Sequence, residues 1–337
     1  MIRVTARARP AQARRAARKT RLRGTRLPVL LAWVLVASGA SDTAFAHGFA
    51  GKRFFPATPT TDDPFVADEL SLPTVSRTKT GASGEAPATV TTTTSVDYTK
   101  RVTPNFGVGL GASNLRLAPE GGDTVSGADN LAASLKYQFH KNDEHESIAS
   151  VGVDWDIGNT GAKRIGAESF STVTPTVFYG KGFGDLPDGM SYLRPFAITG
   201  TAGIAMPTRS STTTVDETGT ETTERHPNVL KLGFSLQYSL TYLQSFVKDV
   251  GLSEPFNRMI PLIEVSLEKP LDRGGGPTIG TVNPGVLWAG RYMQFGVEAI
   301  IPMNNRTPVR GWIAQIHFFM DDLVPRSIGR PIFGAAQ

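Results

Sequence analysis

The chain has 337 residues, no cysteine, 35 glycines, 23 prolines, 40% apolar residues and a formal net charge of +5. These figures exclude a disulfide-stapled mini-domain, a Cys-ligated metal site and a collagen, and they leave length for one large domain or two ordinary ones. The basic excess sits at one end. Residues 1–26 carry ten Lys or Arg and no acid, and Asp42 is the one acid before His47, so the chain from His47 onward has a net charge of −4.

Residues 1–46 read as an export signal. A basic stretch precedes the apolar run 27–40, which is too short to span a bilayer as a permanent helix. Ala44-Phe45-Ala46 then places small residues where a signal peptidase reads them, so cleavage is expected after Ala46. Arg14-Arg15 lacks the flanks of a twin-Arg signal and lies far from the apolar run. The positive charge is therefore an export label, and no nucleic-acid partner is expected. Beyond it no apolar stretch approaches the length of a transmembrane helix.

Residues 47–65 (HGFAGKRFFPATPTTDDPF) mix aromatics with Pro, Thr and Asp and show no period. They are expected to form either a periplasmic arm or a plug in a barrel mouth. A plug would account for Phe49, Phe54 and Phe55 beside Lys52 and Arg53.

From there to residue 320 the pattern alternates with period two. The clearest case runs from Leu230 to Tyr242, where Leu230, Leu232, Phe234, Leu236, Tyr238, Leu240 and Tyr242 share one face and Lys231, Gly233, Ser235, Gln237, Ser239 and Thr241 share the other. Twelve strands are expected, near 66–77, 88–99, 105–116, 128–140, 147–157, 168–180, 191–206, 228–243, 259–269, 278–289, 291–302 and 310–320. Pro73 interrupts the first. The connections 78–87, 117–127, 158–167, 207–227, 270–277 and 303–309 are rich in Gly, Thr, Asp and Pro and suit outer loops. The Thr-rich 207–227 is expected to continue its strands as a hairpin turning near Thr218-Gly219. Residues 321–337 form a C-terminal tail.

Which face turns inward decides the class. A soluble barrel would have to hide many aromatics in a narrow interior, whereas a membrane barrel presents them to lipid and lines its lumen with the polar face. The apolar faces carry no charge, and Tyr98, Phe139, Tyr179, Tyr242, Trp288 and Trp312 fall near strand ends, where interfacial girdles lie. The expected fold is all-β, a single antiparallel up-and-down transmembrane β-barrel of about twelve strands, in contact with outer-membrane lipid and delivered by the barrel-assembly machinery. Its lumen-facing solute path is expected to include Lys136, Asp154, Asp156, Arg194, Lys231, Gln237, Glu264, Glu268, Gln294, Glu298 and His317. The acids in that set outnumber the bases, which favours cations weakly.

No residue pattern points to catalysis, a cofactor or a metal. Gly107, Gly109 and Gly111 alternate with Val108 and Leu110 and no helix follows, so a small-residue lumen face fits better than a dinucleotide loop. His140 and His145 with Asp143, Glu144 and Glu146 read as a charged turn rather than a chelate, and nothing in the sequence pairs another histidine with His47. Asp154 and Asp156 share a face, but a wet lumen does not raise a carboxylic acid into the range of a general acid. No G-x-S-x-G elbow is present.

The opening HGFAGKRFFPATPTTDDPFVADELSLPTV and the closing NPGVLWAGRYMQFGVEAIIPMNNRTPVRGWIAQIHFFMDD resemble a class of proteobacterial outer-membrane β-barrel proteins similar to the transporter family of the MetA-pathway of phenol degradation. The resemblance implies a Gram-negative envelope and passage of small, aromatic or hydrophobic solutes; it carries over no catalytic residue. One departure is the tail after the last strand, since many such barrels end in a terminal aromatic. Two other readings stay open: a structural or adhesive barrel with a closed lumen, and a barrel enzyme acting on lipids or esters.

Overall fold

Strands form where the alternation places them in the computed structural model, which describes residues 48–334 apart from residue 85, residues 216–218 and residues 307–308. The export signal, His47 and Thr218 lie outside the described residues. In chain order the wall consists of β1 (Glu69–Thr80), β2 (Thr89–Thr103), β3 (Phe106–Pro119), β4 (Leu131–Asn142), β5 (Ser147–Ile157), β6 (Thr172–Gly182), β7 (Phe196–Pro207), β8 (Val229–Tyr238), β9 (Met259–Pro270), β10 (Ile279–Ala289), β11 (Met293–Pro302) and β12 (Val309–Phe319). Each pairs antiparallel with the next, and β12 returns to β1 with Val309 opposite Thr80 and Phe319 opposite Glu69. Closure removes the sheet edges, so the wall satisfies its own backbone groups. At one seam the match is partial. Phe106 to Gly111 of β3 pair with β4, while Asn114 to Leu117 pair with a short strand, Val125–Ala128.

Alternation in sequence becomes inside and outside. Along β11, Gln294, Gly296, Glu298 and Ile300 are buried while Phe295, Val297, Ala299 and Ile301 are exposed. Around the wall Leu110, Leu135, Tyr137, Phe139, Trp155, Val177, Ile263 and Trp312 point outward. Within it Ser150, Thr199, Ser235, Glu264, Asn283, Gln294 and Glu298 are at most 1% exposed. This is the polarity of a membrane barrel, the reverse of a soluble one.

Both ends of the wall, before β1 and after β12, share one rim with the connections 104–105, 143–146, 183–195, 239–258 and 290–292. Two of these, 183–195 and 239–258, are longer than the rest and carry helical turns, among them Asp188–Leu193 and Leu240–Tyr242. The second departs from the expected strand 228–243. The Ser239 hydroxyl accepts the Tyr242 amide at 3.1 Å, capping a helical turn that takes Leu240 and Tyr242 out of the wall despite their period-two spacing. Tyr242 is consequently buried beneath the barrel rather than part of an outer girdle. Arg194 is likewise not on a strand: β7 begins at Phe196, and Arg194 sits in the preceding connection, donating to the Leu186 carbonyl at 2.7 Å and pairing with Asp188 at 2.7 Å.

Pro73 perturbs β1 without ending it. Having no N–H, it drops out of the ladder, and the pairing with β2 passes from Ser71 directly to Thr74. On the opposite rim Ser211–Val215 and Glu221–Arg225 form the exposed hairpin expected in the Thr-rich loop. The tail turns at Met320–Leu323 and runs back under β2, where the Ile332 and Phe333 amides donate to Arg101 O and Val102 O at 3.2 and 2.8 Å.

Candidate functional site

The segment 48–68 enters the barrel and occupies its lumen. It begins as a small hairpin, Phe49–Ala50 against Arg53–Phe54, whose aromatic side chains serve two apolar clusters inside the rim. Phe55 and Phe65 pack with Ala50, Ile148 and Ala197, and Phe54 lies against Ile260, Leu262 and Leu287. A run without a period suits this position, because a plug meets different strands at each step and has no single face to bury.

Arg53 anchors the hairpin. Its guanidinium is 1% exposed, pairs with Glu146 at 3.2 Å, donates to Pro195 O at 2.8 Å and to Arg194 O, and stacks 3.9 Å from the centre of the Tyr242 ring. Glu146, in the turn between β4 and β5, also accepts from Tyr242 Oη at 2.9 Å and from the Gly184 amide at 3.0 Å. Burial lowers the Arg53 guanidinium from its ordinary value, with Glu146 pulling it back up. Burial, and next the Glu146 carboxylate, push the Tyr242 phenol up to about 12, so it remains a donor.

Deeper in, the Thr-rich stretch meets two carboxylates. Glu264 Oε1 accepts from Thr58 Oγ1 at 2.6 Å and from the Thr61 amide at 3.0 Å, while its Oε2 accepts the Thr60 amide at 3.0 Å. Thr60 Oγ1 donates to Glu298 Oε2 at 2.9 Å and accepts from Asn283 Nδ2 at 2.8 Å. Glycine makes the room: a Cβ at Gly285 would lie 2.4 Å from Glu298 Cγ, and one at Gly296 would lie 3.2 Å from Pro59 Cγ. Gln294 Nε2 donates to Ala57 O.

The plug then crosses toward β4 and β5 before joining β1. Lys136 Nζ pairs with Asp62 at 2.9 Å and donates to Asp63 O at 2.8 Å, and Ser150 Oγ donates to Pro64 O. Burial, and next the neighbouring Glu69, push the Asp63 carboxyl up to about 7. At the rim Asp68 binds Lys100 at 2.6 Å and Arg101 at 2.8 Å; Lys100 also holds the tail carbonyls of Ile328 and Arg330. Nearby, Ser71 Oγ lies 2.8 Å from His317 Nδ1 and Glu69 Oε2 lies 3.6 Å from His317 Nε2. A hydroxyl, an imidazole and a carboxylate in series are parts a hydrolase uses; here they lie where β1 is irregular, its pairing with both β2 and β12 passing over Leu72 and Pro73.

Of the residues expected along the lumen, Lys136, Glu264, Gln294 and Glu298 touch the plug. Gln237 binds Thr199 and Ser235 within the inner wall, and Lys231 faces Glu268 at 3.9 Å. Asp154 lies 3.5 Å from Thr176 Oγ1; Asp156 shares its strand face toward the outer rim. The sequence reading did not single out Arg53 with Glu146, or Asp68 with Arg101, because each pair is separated by dozens of residues and follows no local spacing. His140 near the end of β4 and His145 in the β4–β5 turn do not converge: His140 meets Ser147 at 3.1 Å and His145 meets Asp185 at 3.3 Å. The Lys181 ammonium beside Asp185 holds that carboxyl below its usual range. Among the described residues no group of three metal-ligating side chains occurs.

No family model matches the chain, and no curated protein does. Among solved structures it is similar to the NanC porin, with a TM-score of 0.42 at 8% identity over 73% of this chain and 98% of that one. It is similar also to the β domain of the Bordetella autotransporter Brka, with a TM-score of 0.45 at 11% identity over 75% and 99%. A third, LpxR from Salmonella typhimurium, has a TM-score of 0.37 at 11% identity over 74% and 99%. At such identities and scores the likeness is that of one barrel to another. The functional reading therefore stands on the wall and the plug themselves.

Proposed function

We propose that the protein is an outer-membrane channel for small solutes, exported through a signal cleaved after Ala46 and closed in this state by residues 48–68. The observation that carries the reading is the chemistry of the lumen. A barrel that served only as a wall could fill its centre with interlocking side chains, whereas here a separate segment fills it and is held largely by hydrogen bonds to Glu264, Glu298, Gln294, Ser150 and Lys136. The hydrogen bonds exchange readily for water, so what holds the segment against release is the burial of Phe54, Phe55 and Phe65 and the Arg53 anchor at the rim. Once it leaves, the inner face offers polar groups that replace a solute's hydration. The resemblance adds small organic molecules as the solute class.

The test is planar-bilayer recording and liposome swelling with the exported chain, after fractionation and a comparison of boiled and unboiled samples establish a folded envelope barrel. Openings are expected, with a weak preference for cations that falls in Glu264→Gln, Glu268→Gln and Glu298→Gln. Unchanged reversal potentials in those variants would defeat the lumen assignment. Swelling that never exceeds empty vesicles would defeat the channel and favour a closed structural barrel, a reading the filled lumen also suits, with the exposed hairpin Ser211–Val215 and Glu221–Arg225 as its contact surface.

A further inference from the structure

Glu264 and Glu298 are 0% and 1% exposed, and among the described residues neither has a Lys, Arg or His within ion-pair distance. Their partners are neutral: two backbone amides and two threonine hydroxyls from the plug, Asn283 on Glu298, and each other through a carboxyl–carboxylate hydrogen bond. Beside them Asn283 Oδ1 is a buried acceptor that receives no hydrogen bond. The inventory is one-sided. Two carboxyls that hydrogen-bond each other share one proton, so the pair holds a single negative charge with no counter-charge beside it, and uncompensated buried charge of this kind is costly.

We propose that this cluster is a binding site for the ammonium group of a small primary amine, and that residues 58–61 are its internal stand-in. The proposal rests on the channel reading and names the solute class. An ammonium ion carries three donors, no acceptor and a positive charge, which matches a cluster of acceptor oxygens around a buried negative charge. The plug already shows the geometry of the exchange. Thr60 spans both carboxylates, its amide on Glu264 and its hydroxyl on Glu298, so a single group placed there reaches both. An ammonium ion in that position replaces those donors, adds the missing positive charge and presents its third N–H to Asn283 Oδ1. Charge-assisted bonds of this type are stronger than the neutral ones they displace. Amine binding and plug docking therefore compete for the same oxygens, and the solute favours the open state.

The test uses the full exported chain in detergent micelles and reads hydrogen exchange of the peptide containing Thr60 and Thr61, with 1,4-diaminobutane as the probe. The amine is expected to raise exchange of that peptide severalfold in a saturable manner, and Glu264→Gln/Glu298→Gln is expected to abolish the response. Magnesium chloride at equal ionic strength giving the same rise would overturn the site, since screening alone would then account for it. A rise with sorbitol and none with the amine would overturn the charge argument, and no response to any probe would overturn the proposal. Bilayer recording of the same samples separates the two readings. A conducting barrel indifferent to the amine leaves the channel standing and removes the site; an amine-responsive plug in a barrel that never conducts does the opposite.

Discussion

Replacing Arg53 by methionine keeps most of the side chain's length and removes its charge. The guanidinium stands 3.2 Å from Glu146 and 2.8 Å from Pro195 O, so the change unpairs a buried carboxylate and orphans a carbonyl at once. Breaking a buried ion pair from one side costs about 3–5 kcal/mol. Glu146 retains Tyr242 Oη and the Gly184 amide, which argues for the lower end of that range. At about 1.4 kcal/mol per factor of ten, plug docking should weaken by roughly two orders of magnitude. The Thr60 and Thr61 amides both bind Glu264 at 3.0 Å, so they report docking from the far end of the segment. Where opening is a rapid pre-equilibrium, their hydrogen exchange accelerates by the same factor. Adding Glu146→Gln removes the stranded charge and should recover part of the loss. Unchanged exchange in Arg53→Met, with unboiled gel mobility intact, would refute the anchor.

The absence of cysteine makes a tether clean. A Cβ at Gly233 would lie 3.2 Å from Thr61 Cγ2, within disulfide reach, so Thr61→Cys/Gly233→Cys should be silent in bilayers when oxidised and regain openings on reduction; equal conductance in both forms would show that the plug is no gate. Burial, and next Glu69, push the docked Asp63 carboxyl up to about 7, above the ordinary carboxylate range, so docking binds a proton more tightly than release does. Its contribution is fully present below the unfolded value and is lost as pH rises through about 7. Opening should consequently increase from mildly acidic to neutral pH in recordings, and Asp63→Asn should flatten that rise; a slope of the opposite sign would remove Asp63 as its source. Ser71→Ala, which cuts the contact to His317, is expected to leave conductance as it was; an esterase activity in the parent that this variant abolishes would establish a barrel enzyme instead.

The alternation of Leu, Phe and Tyr with Ser, Gln and Glu fixes the position and faces of the strands by local means, since neighbouring side chains on a strand must point oppositely. That is why the expected and observed strands agree to within a few residues along most of the wall. It fails at Leu240 and Tyr242, where a capped turn costs less than extending the strand, and at Arg194, whose role belongs to a connection. A different kind of information places residues 48–68. Their composition hints at a plug but fixes no contact. Arg53 meets Glu146 and Thr60 meets Glu298 across separations of 93 and 238 residues. Only closure of the barrel brings those partners together, because the curvature of the whole wall, and no spacing along the chain, sets which inward side chains share a level of the lumen.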